Sequence, residues 1–436
     1  MSTDTPTLLP PSCSGPALPP AAAPARWAEA GTRAYRRISL ALFLAGFATF
    51  SLLYCVQPLL PLFAADFHIG AATSAMALSL STGCLAFAIL VAGALSENLG
   101  RRSLMFASMA LAAVLNLAAS MTPDWHGLLV ARALEGLVLG GVPAVAMAYL
   151  AEEIHPAGLG RAMGLYVGGT AFGGMIGRVG MSMLTDLYSW RTALAVVSVV
   201  DLLAAIGFLL LLPPSRHFVR RRQFRLAGHF RTWGQQLRHR GLPWLFAIGF
   251  LVMGMFVTVY NYAGFRLMQA PFSLSQTAIG LIFSAYLFGI VASSTAGIHA
   301  DRHGRAPVLL TGIALAALGV VLTLSASVVL VIGGVVLLTI GFFVAHSVAS
   351  SWVGRLGGQS KGHAASLYLL AYYLGSSVLG ASGGWFWEHA GWPAVAAFAL
   401  LLLALALVAA LVLRRRGEPY PAPFSSGTRH HADQPA

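Results

Sequence analysis

The chain has 436 residues, 57% hydrophobic and 9% charged, whereas a soluble domain carries roughly a quarter Asp, Glu, Lys and Arg. This composition argues against a water-soluble domain and calls for lipid as solvent. The net charge of +13 comes with no basic soluble domain and no recognition motif, so nucleic acid is not an expected partner.

The first 36 residues are rich in Pro, Ala, Ser and Thr and lack the apolar core of a secretory signal. They predict a disordered cytoplasmic tail over 1–37. Twelve apolar stretches follow, at 39–64, 74–95, 104–122, 127–150, 162–184, 191–212, 244–266, 276–298, 307–325, 328–351, 364–387 and 393–413. Each approaches or exceeds the roughly 20 residues a spanning helix needs, and none alternates with period two as barrel strands do. Helices also satisfy their own backbone groups in lipid. The expected architecture is an all-α integral membrane protein of twelve spans, with one six-helix bundle over 38–213 and a second over 244–413.

Between the second and third stretches the chain reads "GALSENLGRR", Gly93 to Arg102. Between the eighth and ninth it reads "GIHADRHGRA", Gly297 to Ala306. Both copies place an acid four positions after the first glycine and Gly-Arg seven and eight positions after it. A glycine at a helix end permits close packing, and an acid there can cap a helix or pair with arginine. Charges that merely keep a loop out of the membrane explain one copy but not the shared spacing of two.

The fourth stretch contains "ARALEGLVLGG", with Arg132 and Glu135 three apart on one face. Charges within a span are costly and normally face the interior or a wet cavity. Glu135 therefore reads either as a proton-binding carboxylate tuned by Arg132 or as half of a permanent ion pair. The fifth stretch, "GTAFGGMIGR", keeps a thin face through Gly169, Gly173, Gly174 and Gly177 and ends in Arg178. Arg178 binds an anionic substrate group or pairs with a carboxylate; both readings stay open. Asp201 stands alone among valines and leucines in the sixth stretch and is a further proton candidate.

The segment 214–243 carries eight arginines and no acid. Val219, Leu226, Phe230, Trp233 and Leu237 recur there at helical spacing. It reads as a basic cytoplasmic linker that lies on an anionic leaflet or is simply solvated. Residues 414–436 form a second cytoplasmic tail. Loops on the side of both tails collect nearly all the arginines, and the other side receives only Arg191 and Arg266. The positive-inside rule then sets both termini in the cytoplasm. The cysteines Cys13, Cys55 and Cys84 suggest neither a disulfide framework nor a redox site.

"GRAMGLYVGGTAFGGMIGRVGMSMLTDLYSW", from Gly160, aligns with "GHAASLYLLAYYLGSSVLGASGGWFWEHAGW", from Gly362. Gly173 meets Gly375, Asp186 meets Glu388 and Trp190 meets Trp392. Together with the doubled loop, this indicates a duplicated six-helix unit whose halves run parallel.

Twelve spans in two halves, a long basic middle loop and Gly-x-x-x-(Asp/Glu)-x-x-Gly-Arg in both halves resemble the major facilitator superfamily of secondary transporters. "LYCVQPLLPLF", "GGTAFGGMIGR" and "LPPSRHF" are similar to its acriflavine-sensitivity or YnfM-type exporters. The resemblance implies a hinge that latches the cytoplasmic ends in the outward-facing state, formed by Gly93, Glu97, Gly100 and Arg101 and by Gly297, Asp301, Gly304 and Arg305. It also implies a central cavity between helices one, four, seven and ten. That selects Tyr54, Gln57, Tyr260 and Asn261 as substrate contacts, with Arg178 beside them, and adds His346 to Arg132, Glu135 and Asp201 as proton-coupling candidates. Antiporters of the family carry a proline in the fifth helix that this chain lacks; its glycines imply close packing of the fifth helix on the eighth.

The implied activity is proton-coupled export of small lipophilic or amphiphilic compounds from a monomer in the bacterial inner membrane, with no cofactor and no metal. Import of an organic anion or sugar, with Arg132 and Arg178 as contacts, is the alternative. A transporter-like receptor is more remote. So is an intramembrane enzyme, despite "GASG" around Ser382 and the four-residue spacing of His299 and His303.

Overall fold

The computed structural model describes residues 27–215 and 226–416, apart from the side chains of 93–99, 226 and 227. Among these residues the regular structure is helical, with a single isolated bridge between Ala28 and Ile154. The first half spans through Arg33–Asp66, Ala71–Ala92 within a helix running on to Leu99, Arg101–Met121, Trp125–Glu153, Pro156–Leu187 and Trp190–Leu211. The second half spans through Leu242–Met268, Gln276–His303, Arg305–Leu322, Val328–Leu356 and the long element Lys361–Arg415. That last element is two spans. Ala390 and Gly391 leave helical geometry, and Gly391 adopts φ +63°, a conformation glycine takes without Cβ strain.

Local chemistry sets the boundaries. Asp124, Ser189 and Ser275 cap the fourth, sixth and eighth spans, each accepting a hydrogen bond from the N–H three residues on. The first span is interrupted after Tyr54 by a 3₁₀ turn, Gln57–Leu59, where Pro58 has no N–H to continue the ladder. The fourth is interrupted at Gly140–Val142 and resumes at Pro143. Large apolar side chains such as Phe87, Val91, Leu203, Leu210, Val291 and Val329 lie exposed on the outer surface. Such a surface requires lipid to cover it.

Several expected boundaries shift. The first helix begins at Arg33, inside the segment expected to be a tail, and Ala28 before it is held by backbone hydrogen bonds. Ala28 N–H donates to the Glu153 carbonyl at 2.9 Å, and His155 N–H to the Ala28 carbonyl at 3.1 Å. This backbone pairing anchors the segment to the end of the fourth span. Within the linker, Leu226–Leu237 is a helix. Trp233 Nε1 donates to Ser366 Oγ at 3.2 Å and His229 Nδ1 meets His363 Nε2 at 3.0 Å, so one face docks on the eleventh span while Phe230 and Leu237 are exposed. Val219 lies outside the described residues, as do residues 1–26 and 417–436 of the two tails.

The fifth-span glycines do not face the eighth span. A Cβ on Gly169, Gly173 or Gly177 would collide with Phe43, Phe47 or Ser51, all on the first span. Gly375 makes the same approach to Phe250 on the seventh span. Each glycine face therefore joins two helices within one half, in matching fashion. The fifth and eighth spans meet instead where Gly280 abuts Ser182.

Candidate functional site

Arg132 is completely buried, and its donors reach three other spans of the first half. Nε donates to the Ala77 carbonyl at 3.1 Å, Nη2 to the Leu53 carbonyl at 2.8 Å, and Nη1 to the Leu52 carbonyl at 3.2 Å and Asn116 Oδ1 at 3.3 Å. Nη1 also pairs with Glu135 Oε2. Leu52 and Leu53 sit where the first span loses its helical ladder, so the guanidinium meets carbonyls that the break leaves short of donors. Asn116 extends the network to Ser198 Oγ at 3.0 Å, and Ser81 Oγ donates to the Arg132 carbonyl at 2.8 Å.

Two carboxylates belong to this cluster. Among the described residues, neither Glu135 Oε1 nor either oxygen of Asp201 makes a hydrogen bond, although both residues are fully buried. Asp201 lies beside Ser51 and within electrostatic reach of Glu135, and Cys55 lies within electrostatic reach of both acids, of Arg132 and of Arg178. Arg132 thus pairs with one acid, and the second lies within electrostatic reach of the first. His346 is elsewhere: it lies in the second half, with Nδ1 2.9 Å from the Tyr368 hydroxyl and its ring stacked on Phe342.

The substrate-contact candidates gather where the two halves meet. Arg178 Nε donates to Gln57 Oε1 at 2.6 Å; Gln57 Nε2 donates to Asn261 Oδ1 at 2.8 Å; Asn261 Nδ2 donates to the Gly380 carbonyl at 3.3 Å. This chain crosses from the fifth span to the eleventh. The guanidinium carbon lies 4.3 Å from the centre of the Tyr54 ring, 5.1 Å from Tyr286 and 5.2 Å from Phe283. Tyr260 stacks on Phe283 and shares a 2.8 Å hydrogen bond with Thr339. The structure therefore brings Tyr54, Gln57, Arg178, Tyr260 and Asn261 together, and adds Phe283 and Tyr286.

At the face opposite the tails, the duplicated acids perform matched tasks. Asp186 Oδ2 accepts from Thr277 N–H at 2.7 Å, in the first turn of the eighth span. Glu388 Oε1 accepts from Ala72 N–H at 2.9 Å, in the first turn leading into the second span. Each acid caps a helix of the other half, and the Gly70 position leaves room for Glu388. Gln276 Nε2 also donates to the Pro58 carbonyl at 2.5 Å, and Ser377 Oγ to the Ser79 carbonyl at 2.6 Å. These contacts join the halves at that end.

The doubled loop has its own cause. Gly100 and Gly304 adopt φ +86° and +88°, ending one helix and starting the next in the same way. Arg101 makes a two-pronged ion pair with Glu152 at the end of the fourth span, while Asp301 and Arg305 approach at 3.6 Å. A Cβ on Gly297 would meet nothing within 4 Å, so close packing is not its role in this conformation. Gly93 lies in the helix Met76–Leu99, and its surroundings and the Glu97 side chain are not among the described features.

Sequence reasoning missed Asn116, Ser198, Glu152, Phe283 and Tyr286. It noted that Asp186 and Glu388 align without seeing that both reach across the halves. The enzyme motifs do not assemble a site: Ser382 Oγ donates to the Val378 carbonyl, and the Nδ1 atoms of His299 and His303 meet carbonyls of their own helix.

The family model described as Major Facilitator Superfamily matches residues 42–269 and 263–433. The Inner membrane transport protein YnfM of Escherichia coli (strain K12) is 46% identical over 393 residues, covering 90% of this chain and 94% of that protein. The uncharacterized MFS-type transporter YybF of Bacillus subtilis (strain 168) is 42% identical over 383 residues, covering 86% and 93%. A mutant form of the nucleoside transporter NupG superposes with TM-score 0.72 at 13% identity, over 87% of this chain and 100% of that one; the likeness is one of fold.

Proposed function

The chain belongs to the Major Facilitator Superfamily, and from that premise we propose that it is a proton-coupled exporter of small amphiphilic compounds. It is a membrane transporter and not an enzyme, as its relatives are transporters. The observation that carries proton coupling is the charge count around Arg132. Glu135 pairs with Arg132, a second buried acid, Asp201, lies within electrostatic reach of Glu135, and among the described residues three of the four carboxylate oxygens make no hydrogen bond. A bound proton on the Glu135–Asp201 pair balances the cluster, and its loss leaves an extra negative charge inside the span. Arg132 holds Glu135 in place and keeps its charge throughout.

The arginine distribution supports a cytoplasmic position for both termini. On that orientation the contacts of Asp186, Glu388 and Gln276 close the periplasmic end, and alternating access proceeds by their release and closure of the cytoplasmic end. The hinge residues Gly100, Arg101, Gly304 and Arg305 act there. Substrate is held between the halves by Tyr54, Gln57, Arg178, Tyr260 and Asn261. Arg132 is not a ligand contact, because its donors are occupied by the protein.

Energised inverted vesicles test this reading with a panel of fluorescent amphiphilic dyes and weak acids. Accumulation that collapses with a protonophore is expected. Accumulation only in intact cells would reverse the direction, and transport insensitive to the protonophore would remove the proton.

A further inference from the structure

Among the described residues two arginines are deeply buried, and one of them has an acid as its ion-pair partner. Arg132 pairs with Glu135, whereas Arg178, 2% exposed, has no carboxylate within ion-pair distance among the described residues. An unpaired charge in a low-dielectric interior is expensive. Its partner is therefore expected from outside the chain.

The geometry leaves one edge of the guanidinium for that partner. Nε donates to the neutral amide oxygen of Gln57 and Nη1 to the Gly174 carbonyl. Nη2 donates to no described residue. The planar group is flanked by the Tyr54, Phe283 and Tyr286 rings, two of them from the second half. Guanidinium presents parallel donors that match a carboxylate in two-pronged fashion, and a charged acceptor outcompetes a neutral amide. Flat apolar surface suits the aromatic rings.

We infer that Arg178 anchors an anionic group, a carboxylate in the first instance, on a transported compound whose planar apolar body lies among Tyr54, Phe283 and Tyr286. The inference rests on the transporter reading and names its substrate class. It also couples binding to movement: a carboxylate that takes the place of Gln57 Oε1 on Arg178 cuts the hydrogen-bond chain through Asn261 to the second half. The occupied protein then loses one tie between its halves.

Equilibrium dialysis at neutral pH of the full-length protein in detergent, with radiolabelled 1-naphthoate and its neutral isostere 1-naphthamide, tests the assignment without any gradient. Wild type should bind the carboxylate at least about tenfold more tightly, as expected for a charge-assisted contact. Arg178→Gln should lower naphthoate binding to the level of naphthamide, with a much smaller effect on naphthamide. Gln57→Glu keeps the arginine and supplies an internal carboxylate, so it should erase the preference even where Arg178→Gln does not fold. Equal binding of both compounds to wild type, no binding of either at millimolar concentration, or a preference that survives in Gln57→Glu would overturn the inference. Since vesicle transport of other compounds is measured separately, selective binding without transport would instead count against the proposed function.

Discussion

Replacing both Asp186 and Glu388 with alanine should loosen the closed end of the transporter. Each carboxylate caps the first turn of a helix in the opposite half, at 2.7 and 2.9 Å. Both acids are exposed, so the contribution is that of a surface cap, about 1 kcal/mol each. They act at separate helices and should be additive, giving about 2 kcal/mol. Because about 1.4 kcal/mol is a factor of ten, the ratio of closed to open molecules should fall by roughly 30-fold, with each single variant giving roughly fivefold. Spin labels on cysteines introduced at Tyr188 and Gln269, one on each half, would report the change in proteoliposomes as a larger long-distance population. An unchanged distance distribution in the double variant would refute the claim that these caps hold the halves together.

Arg132→Ala should destabilise the first half by about 3–5 kcal/mol, since it leaves Glu135 without its charge partner and several carbonyls without donors; Glu135→Gln should cost much less, and thermal unfolding in detergent would compare them. Gly173→Val should be among the most damaging glycine changes, because even its Cβ would lie 2.2 Å from the Phe47 carbonyl oxygen, whereas Gly297→Ala should fall within about 0.5 kcal/mol of wild type. Gly304→Ala should cost about 1 kcal/mol or more from its positive φ alone, read in the same assay. His229 Nδ1 and His363 Nε2 meet at 3.0 Å, a contact that two protonated rings would break, and a free imidazole titrates at about pH 6.5. Docking of the linker helix should therefore be complete above that pH and weaken as pH falls below it; Trp233 fluorescence that stays flat from pH 8 to 5 would contradict this.

The number of spans was legible in the sequence because each is a long apolar run, and the division into halves because the doubled loop keeps its spacing. Arg132 and Glu135 were legible as a pair because three residues along a helix is also one position apart in space. Asp201 was visible as a costly charge, but its closeness to Glu135 depends on how the fourth and sixth spans pack. The same limit hid Asn116, an ordinary amide by sequence, which joins Arg132 to Ser198. Glycine spacing announced a thin helix face without saying which neighbour would use it, and the first span, not the eighth, does. The repeated loop was recognised by its charges, yet the shared φ of Gly100 and Gly304 is what makes the two turns alike.

Coupling at the buried acids is tested most directly by comparing uphill transport with counterflow in reconstituted protein. A compound that wild type accumulates under an imposed proton gradient would be followed in Glu135→Gln and Asp201→Asn. Each neutral side chain mimics the protonated state and permits the conformational cycle. Loss of uphill accumulation with retained counterflow is the predicted result in at least one variant, and unimpaired accumulation against the gradient in both would contradict the account.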